Sequence, residues 1–189
     1  MKKVCVDSNF LVWAIKERAT LGQEHLIPLA KKIVDYFDLH KIEIIVPSLV
    51  VAELLSDIEN DEVRDTLADV ISNNFNIIHY DVLCAKEFAS LRVKMDKDLI
   101  KEHRVENSIT QSRLKNDYNI CASAIAKKCD AIITNNKKDF VKYSAGKIPI
   151  YTIEDMVKII SDESKEKGKD ENQVTMDWNK IIEQEKPED

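Results

Sequence analysis

Val4-Cys5-Val6 is a short apolar run that stops on an acid, Asp7. It reads as a strand covered on both faces, as the strands of a parallel sheet are. Phe10 to Ile15 then begins a helical segment. The pattern recurs along the chain. Ile42 to Val46, Ile77-Ile78, Ala131 to Thr134 and Ile148 to Tyr151 are further strand candidates, the last a short edge strand that tolerates Pro149. Between them lie segments of helical period: Glu24 to Leu39, Leu49 to Ile58, Asp61 to Phe75, Val82 to Met95 and Lys115 to Lys128. Strands alternating with helices confine the chain to an α/β fold, with a central parallel sheet of four to five strands flanked by helices and joined by right-handed crossovers.

Local signals refine the boundaries. Pro28 falls in the first turn or so of its helix, where proline is tolerated. Ser48 is placed to cap the third helix and Asp81 the helix from Val82. Thr152-x-x-Asp155 has the spacing of a capping box for a helix reaching Ile160. Residues 96–114 are highly charged; Leu99, Val105 and Ile109 suggest a helical stretch with a loop, and the segment reads as a surface excursion near the site. From Ser161 to Asp170 the chain reads as a polar linker. Val174, Trp178, Ile181 and Ile182 then fall at the spacing of a short amphipathic helix. The expected organisation is one domain over 1–160 and an acidic, partly flexible tail over 161–189.

Composition excludes several classes. Three glycines leave no phosphate cradle of the G-x-G-x-x-G or G-x-x-x-x-G-K kind. No apolar run nears the ~20 residues of a membrane span, and the chain enters its first strand without a signal segment, so no membrane association and a cytoplasmic location are expected. Cys5, Cys84, Cys121 and Cys129 contain no C-x-x-C pair and read as reduced core thiols. The four histidines show no ligand spacing, and His79 reads as a strand-end residue. Net charge is −6, but residues 161–189 hold ten acids and five bases, which leaves −1 on residues 1–160. The body is near neutral, which disfavours a broad basic surface for duplex nucleic acid.

Four acids share a topological position. Asp7 follows strand one, Glu53 lies on the helix after strand two, Asp117 starts the helix before strand four, and Asp139 follows strand four. In an open parallel sheet ligands bind outside the carboxyl ends of the strands, where all four can converge. Each also has a plainer reading: Asp7 as a helix cap, Glu53 as a salt-bridge partner, Asp117 as a helix-dipole acid, Asp139 as solvated surface. Taken together, clustered carboxylates resist ionisation unless a cation neutralises them. An oxygen-only donor set suits Mg²⁺ or Mn²⁺. Such ions promote in-line displacement at phosphorus, which points to phosphodiester hydrolysis.

The segments Val4-Cys5-Val6-Asp7-Ser8-Asn9, Pro47-Ser48-Leu49-Val50-Val51-Ala52-Glu53-Leu54, Lys115 to Ala124 and Ile133-Thr134-Asn135-Asn136-Lys137-Lys138-Asp139-Phe140 resemble, in order and spacing, the four motifs of PIN-domain nucleases. The resemblance covers about residues 3 to 155 and is nearest to the VapC-type toxins of toxin–antitoxin pairs. It implies a PIN-like three-layer sandwich and a Mg²⁺- or Mn²⁺-dependent endoribonuclease. Asp7, Glu53 and Asp117 would carry the metal, and Asn136 or Asp139 would complete the site. Asn9 and Thr134 match positions that support the site in relatives. An antitoxin partner and a homodimer are implied in the same way. The excursion over 96–114 and the tail after 160 depart from compact toxins.

For substrate, Arg113, Lys115, Lys137, Lys138 and Lys142 flank the third and fourth motifs, and Lys97, Lys101 and Arg104 lie on the excursion. They are candidates for holding the phosphates of a short structured or single-stranded RNA, with solvated surface charge as the plainer reading for at least half. Two other functions compete with this reading. A non-catalytic PIN-like module that binds RNA or protein has no need of clustered carboxylates. An aspartyl-phosphate phosphatase wants a second Asp two residues after Asp7, where this chain has Asn9.

Overall fold

The first strand, β1 (Lys3–Val6), sits at the centre of the molecule because Val4, Cys5 and Val6 are all fully buried. The computed structural model describes residues 1–94 and 111–167. β1 leads into a short helix, α1 (Ser8–Leu11), which widens into a π-helical turn over Val12–Lys16. Glu17 ends that turn in the left-handed conformation, at φ 50°. The chain continues through α2 (Leu26–Leu39), β2 (Glu43–Pro47), α3 (Ser48–Ser56), α4 (Asp61–Asn74), β3 (Asn76–Ile78) and α5 (Val82–Lys94). After residue 110 come α6 (Gln111–Ala126), β4 (Ala131–Ile133), α7 (Lys137–Ser144), β5 (Ile150–Tyr151) and α8 (Ile153–Lys167).

The five strands form one parallel sheet in the order β3-β2-β1-β4-β5. Cys5 pairs with Ile45 on one side and Ile132 on the other. β1 and β4 are buried along nearly their whole length, and the edge strand β3 is only half-buried. That gradient is what a sheet with helices on both faces produces. α2 packs against α8, and α6 packs against α5, α3 and α7. The ring of Tyr118 in α6 packs at a tilt of 34° against that of Tyr143 in α7, with centroids 4.6 Å apart, which ties those two helices together. The small residues Cys121, Ala122, Ser123 and Ala124 of α6 are all buried, so the helix axis lies close to its neighbours.

The expected fold class holds, with five strands. Several boundaries differ. Pro47, not Ser48, is the N-cap of α3, and Ser48 is already helical. α6 begins at Gln111 and not Lys115, so the last residues of the charged excursion are the first turn of a helix. Asp117 is therefore in its second turn, past the zone where orphan N–H groups favour an acid. The linker expected from Ser161 is helical to Lys167, because Ile160 and Ser161 are buried and carry the helix onward. The capping box at Thr152 is complete: Thr152 N–H donates to Asp155 Oδ2 at 2.9 Å, and Asp155 N–H donates to Thr152 Oγ1 at 3.2 Å. Asp81 caps α5 through the N–H of Cys84 at 3.0 Å. The stripe at Val174, Trp178, Ile181 and Ile182 lies outside the described residues, as do Lys97, Lys101 and Arg104.

Candidate active site

At the carboxyl ends of β1 and β2 the helices part and leave a cavity of about 430 Å³. β1 delivers Asp7 to its floor, and α1 adds Ser8 and Asn9. α3 contributes Glu53, with Asp57 just beyond its end. α6 contributes Asn116, Asp117 and Ile120, three residues on one helical face. The loop after β4 contributes Asn136. Three of the four predicted acids, each from a different element, thus line one space.

Asp7 is the most buried of them, at 4% exposure. Its Oδ1 accepts the N–H of Phe10 at 3.3 Å, which makes it the N-cap of α1. Its Oδ2 accepts the hydroxyl of Thr134. Thr134 Oγ1 in turn accepts the N–H of Asn136 at 3.0 Å, which fixes the hydroxyl proton toward the acid. Asn9 adds a side-chain hydrogen bond to Asp7. Burial nevertheless pushes the Asp7 carboxyl up to about 6; Thr134, the Phe10 N–H and Asn9 work against that shift, and Glu53 adds to it. Desolvation therefore outweighs three hydrogen bonds.

Glu53 is half-buried, and its Oε1 accepts Nδ2 of Asn116 at 2.8 Å. Asp7 and Glu53 are thus held by separate donors, and like charge keeps carboxylates apart. Among the described residues no group of three or more His, Cys, Asp or Glu side chains is gathered closely enough to hold a metal ion. The predicted trio shares a cavity without closing around one point. Its donor chemistry still fits a hard divalent cation, since Asp7, Glu53, Asp117 and the amide of Asn136 offer oxygens and no sulfur or imidazole.

Asp139 is not on the cavity wall. It lies in the first turn of α7 at 7% exposure, so the solvated-surface reading does not hold. Together with Asp117 it acts on Tyr143, whose hydroxyl titrates well above the ordinary phenol range, chiefly through burial and then through those two acids. Of the two residues left open as the fourth member, Asn136 lines the cavity and Asp139 stands behind it.

The predicted cations are dispersed. Lys115, Lys138 and Lys142 are exposed, and none of them lines the cavity. Lys137 Nζ donates to Asp155 Oδ2 at 2.7 Å, so it serves the capping box of α8. For Arg113 only the backbone, in α6, is described. Among the described residues the base that does line the cavity is Lys16, at the end of the π-helical turn, with Nζ donating to the Leu54 carbonyl at 2.6 Å. It escaped sequence reading because a lysine ending a short apolar segment looks like a solvated helix terminus. Asn116 escaped too, although its place beside Asp117 was a usable signal.

Comparison with solved structures finds the same architecture. A chain of VapBC2 from Rickettsia felis, a complex bound to a DNA fragment from its promoter, superposes with a TM-score of 0.55 at 19% identity, over 79% of this chain and 98% of that one. A chain of the DNA-bound VapBC of Salmonella typhimurium gives a TM-score of 0.55 at 18% identity, over 81% of this chain and 99% of that one. At such identities the likeness is one of fold. No curated protein sequence matches significantly. Residues 4–146 match the family described as PIN domain, a span that holds β2, β3, β4, all of β1 but Lys3, and every residue described on the cavity wall. Acids at the ends of a parallel sheet, the fold and that match agree, and the chain belongs to the PIN-domain family.

Proposed function

We propose that the protein is a metal-dependent endoribonuclease that hydrolyses RNA phosphodiester bonds, and that it is the toxin of a VapBC-type pair. One observation carries the reading: Asp7, Glu53 and Asp117, brought from three separate elements, line a single cavity at the carboxyl ends of the strands. Asp7, Glu53 and Asp117 would hold Mg²⁺ or Mn²⁺, with the amide of Asn136 alongside. When bound, the ion supplies charge neutralisation and Lewis acidity for displacement at phosphorus.

The chain's own residues do the rest. Thr134 and the Phe10 N–H fix both oxygens of Asp7. Asn116 orients Glu53 through Oε1 and leaves its other oxygen for a ligand. Ile120 and Phe140 form apolar wall, which limits water around the charged groups. The nuclease unit, expected over residues 1–160, extends with α8 to Lys167, and residues 168–189 are taken as an acidic appendage. A small antitoxin is the expected partner, in keeping with the VapBC complexes that the fold resembles, and a second copy of the chain is expected from the family resemblance alone. A cytoplasmic location is part of the same proposal.

The test is cleavage of total RNA by wild type and by Asp7→Asn, with Mg²⁺ or Mn²⁺ and with EDTA. Wild type should cut only with the ion, and the variant should lose at least about 10²-fold in rate, in line with the loss of one electrostatic element of an active site. Undiminished cleavage by Asp7→Asn, or cleavage in EDTA, would overturn the mechanism.

A further inference from the structure

We infer that Lys16 is the substrate-phosphate contact of this cavity, binding a non-bridging oxygen of single-stranded RNA; the inference rests on the ribonuclease reading. Among the described residues the cavity wall carries four acids, Asp7, Glu53, Asp57 and Asp117, and one base, Lys16. A polyanion must approach this wall. Coulomb repulsion from the acids opposes it, and at partly buried sites such repulsion is weakly screened by salt. A cation on the wall offsets that repulsion at short range.

The backbone around Lys16 is built to put it there. Val12–Lys16 forms a π-helical turn, which carries one residue more per hydrogen-bonded ring than an α-turn and is common at functional sites. The left-handed Glu17 stops the helix at once, so Lys16 is its last residue. Its ammonium donates to the carbonyl of Leu54, the residue after Glu53. That bond occupies one of the three ammonium protons and leaves two for a ligand. The charge is therefore anchored beside one of the acids proposed to hold the metal, on a stem whose position the Leu54 carbonyl fixes. Of the other candidate cations whose side chains are described, Lys115, Lys138 and Lys142 do not line this cavity, and Lys137 is engaged by Asp155.

A purely structural role, tying the π-helical turn to α3, is the competing account. Two variants separate them. Lys16→Gln keeps a donor for the Leu54 carbonyl and removes the charge; Lys16→Arg keeps both. Binding of a short fluorescent single-stranded RNA is measured by anisotropy in Mg²⁺, in an Asp7→Asn background that prevents cutting, over a series of salt concentrations. Lys16→Gln should weaken binding about five-fold or more at low salt and lower the slope of log K against log salt by about 0.7, the amount expected for one lost phosphate contact on a single strand. Lys16→Arg should bind within about two-fold of its parent with the same slope, since the charge contact is retained. Unchanged affinity and slope in Lys16→Gln overturns the inference, as does a parent that binds no RNA. Failure of the ribonuclease reading shows separately, in the wild-type cleavage assay: Lys16-dependent binding without cleavage would keep the contact and remove the catalysis.

Discussion

The carboxyl of Asp7 is pulled in two directions. As N-cap of α1 and acceptor from Thr134 it is set up to be an anion, yet its burial favours the neutral acid and wins, at about 6 against an ordinary 3.8. The sign of the consequence follows. A folded pKa above the unfolded one means that folding takes up a proton between about 4 and 6. In metal-free protein this group therefore costs stability above about pH 6, and the cost disappears as pH falls below 4. The difference corresponds to about 3 kcal/mol at full ionisation. Asp7→Asn removes the charge but keeps only one acceptor oxygen, so it also gives up either the Thr134 or the Phe10 hydrogen bond, at about 1 kcal/mol. In urea melts with EDTA at pH 7.5 the variant should still be more stable than wild type, by about 1–2 kcal/mol, with the gain lost towards pH 4. A variant less stable than wild type at pH 7.5 would show that burial does not dominate at Asp7. The acids were legible in the sequence because a strand end followed by Asp is a position as well as a residue type. Lys16 and Asn116 were not, because what brings them to the cavity is a π-helical turn and a helix phase that composition does not encode.

At the scale of elements, hydrophobic patterning located all five strands and most helices, since burial on both faces of the sheet demands unbroken apolar runs at β1 and β4. It lost precision where helix ends are decided by tertiary contact. α6 starts four residues before the predicted Lys115, where Gln111, Ser112 and Arg113 are polar and mark no apolar face from which to read the helix start. α8 runs past Ile160 because Ser161 is buried. Capping was legible where the side chain itself makes the bond. The box at Thr152 and Asp155 is reinforced by Lys137, which with the Thr152 N–H keeps the Asp155 carboxyl below its ordinary range although burial opposes this. Thr152→Ala removes the hydroxyl that caps the Asp155 N–H and should cost about 1 kcal/mol in urea unfolding, the usual value of a lost N-cap. Lys137→Ala should cost less, about 0.5 kcal/mol, because its ion pair with Asp155 is solvent-accessible and screened by salt. A larger loss at Lys137 than at Thr152 would mean that charge, and not the cap, holds the start of α8.

On the scale of the whole molecule, charge is distributed against the proposed substrate. Residues 1–160 carry a net −1, and the segment from 168 to 189 alone carries seven acids and three bases, a net −4. An anionic segment tethered to a nuclease lowers the local concentration of RNA by long-range repulsion, which acts on association more than on chemistry. Deleting residues 168–189 changes the net charge of the chain from −6 to −2. For the truncated protein, kcat/KM for single-stranded RNA should rise about two- to five-fold at low ionic strength with little change in kcat, because the effect lies in encounter. The advantage should vanish at about 0.5 M salt, where the screening length falls to a few ångströms. A gain in kcat that survives high salt would point instead to a tail that contacts the site directly. No change at any salt would mean that the −4 is too far from the cavity to be felt by the incoming phosphates, and that the local cation at Lys16 decides affinity alone.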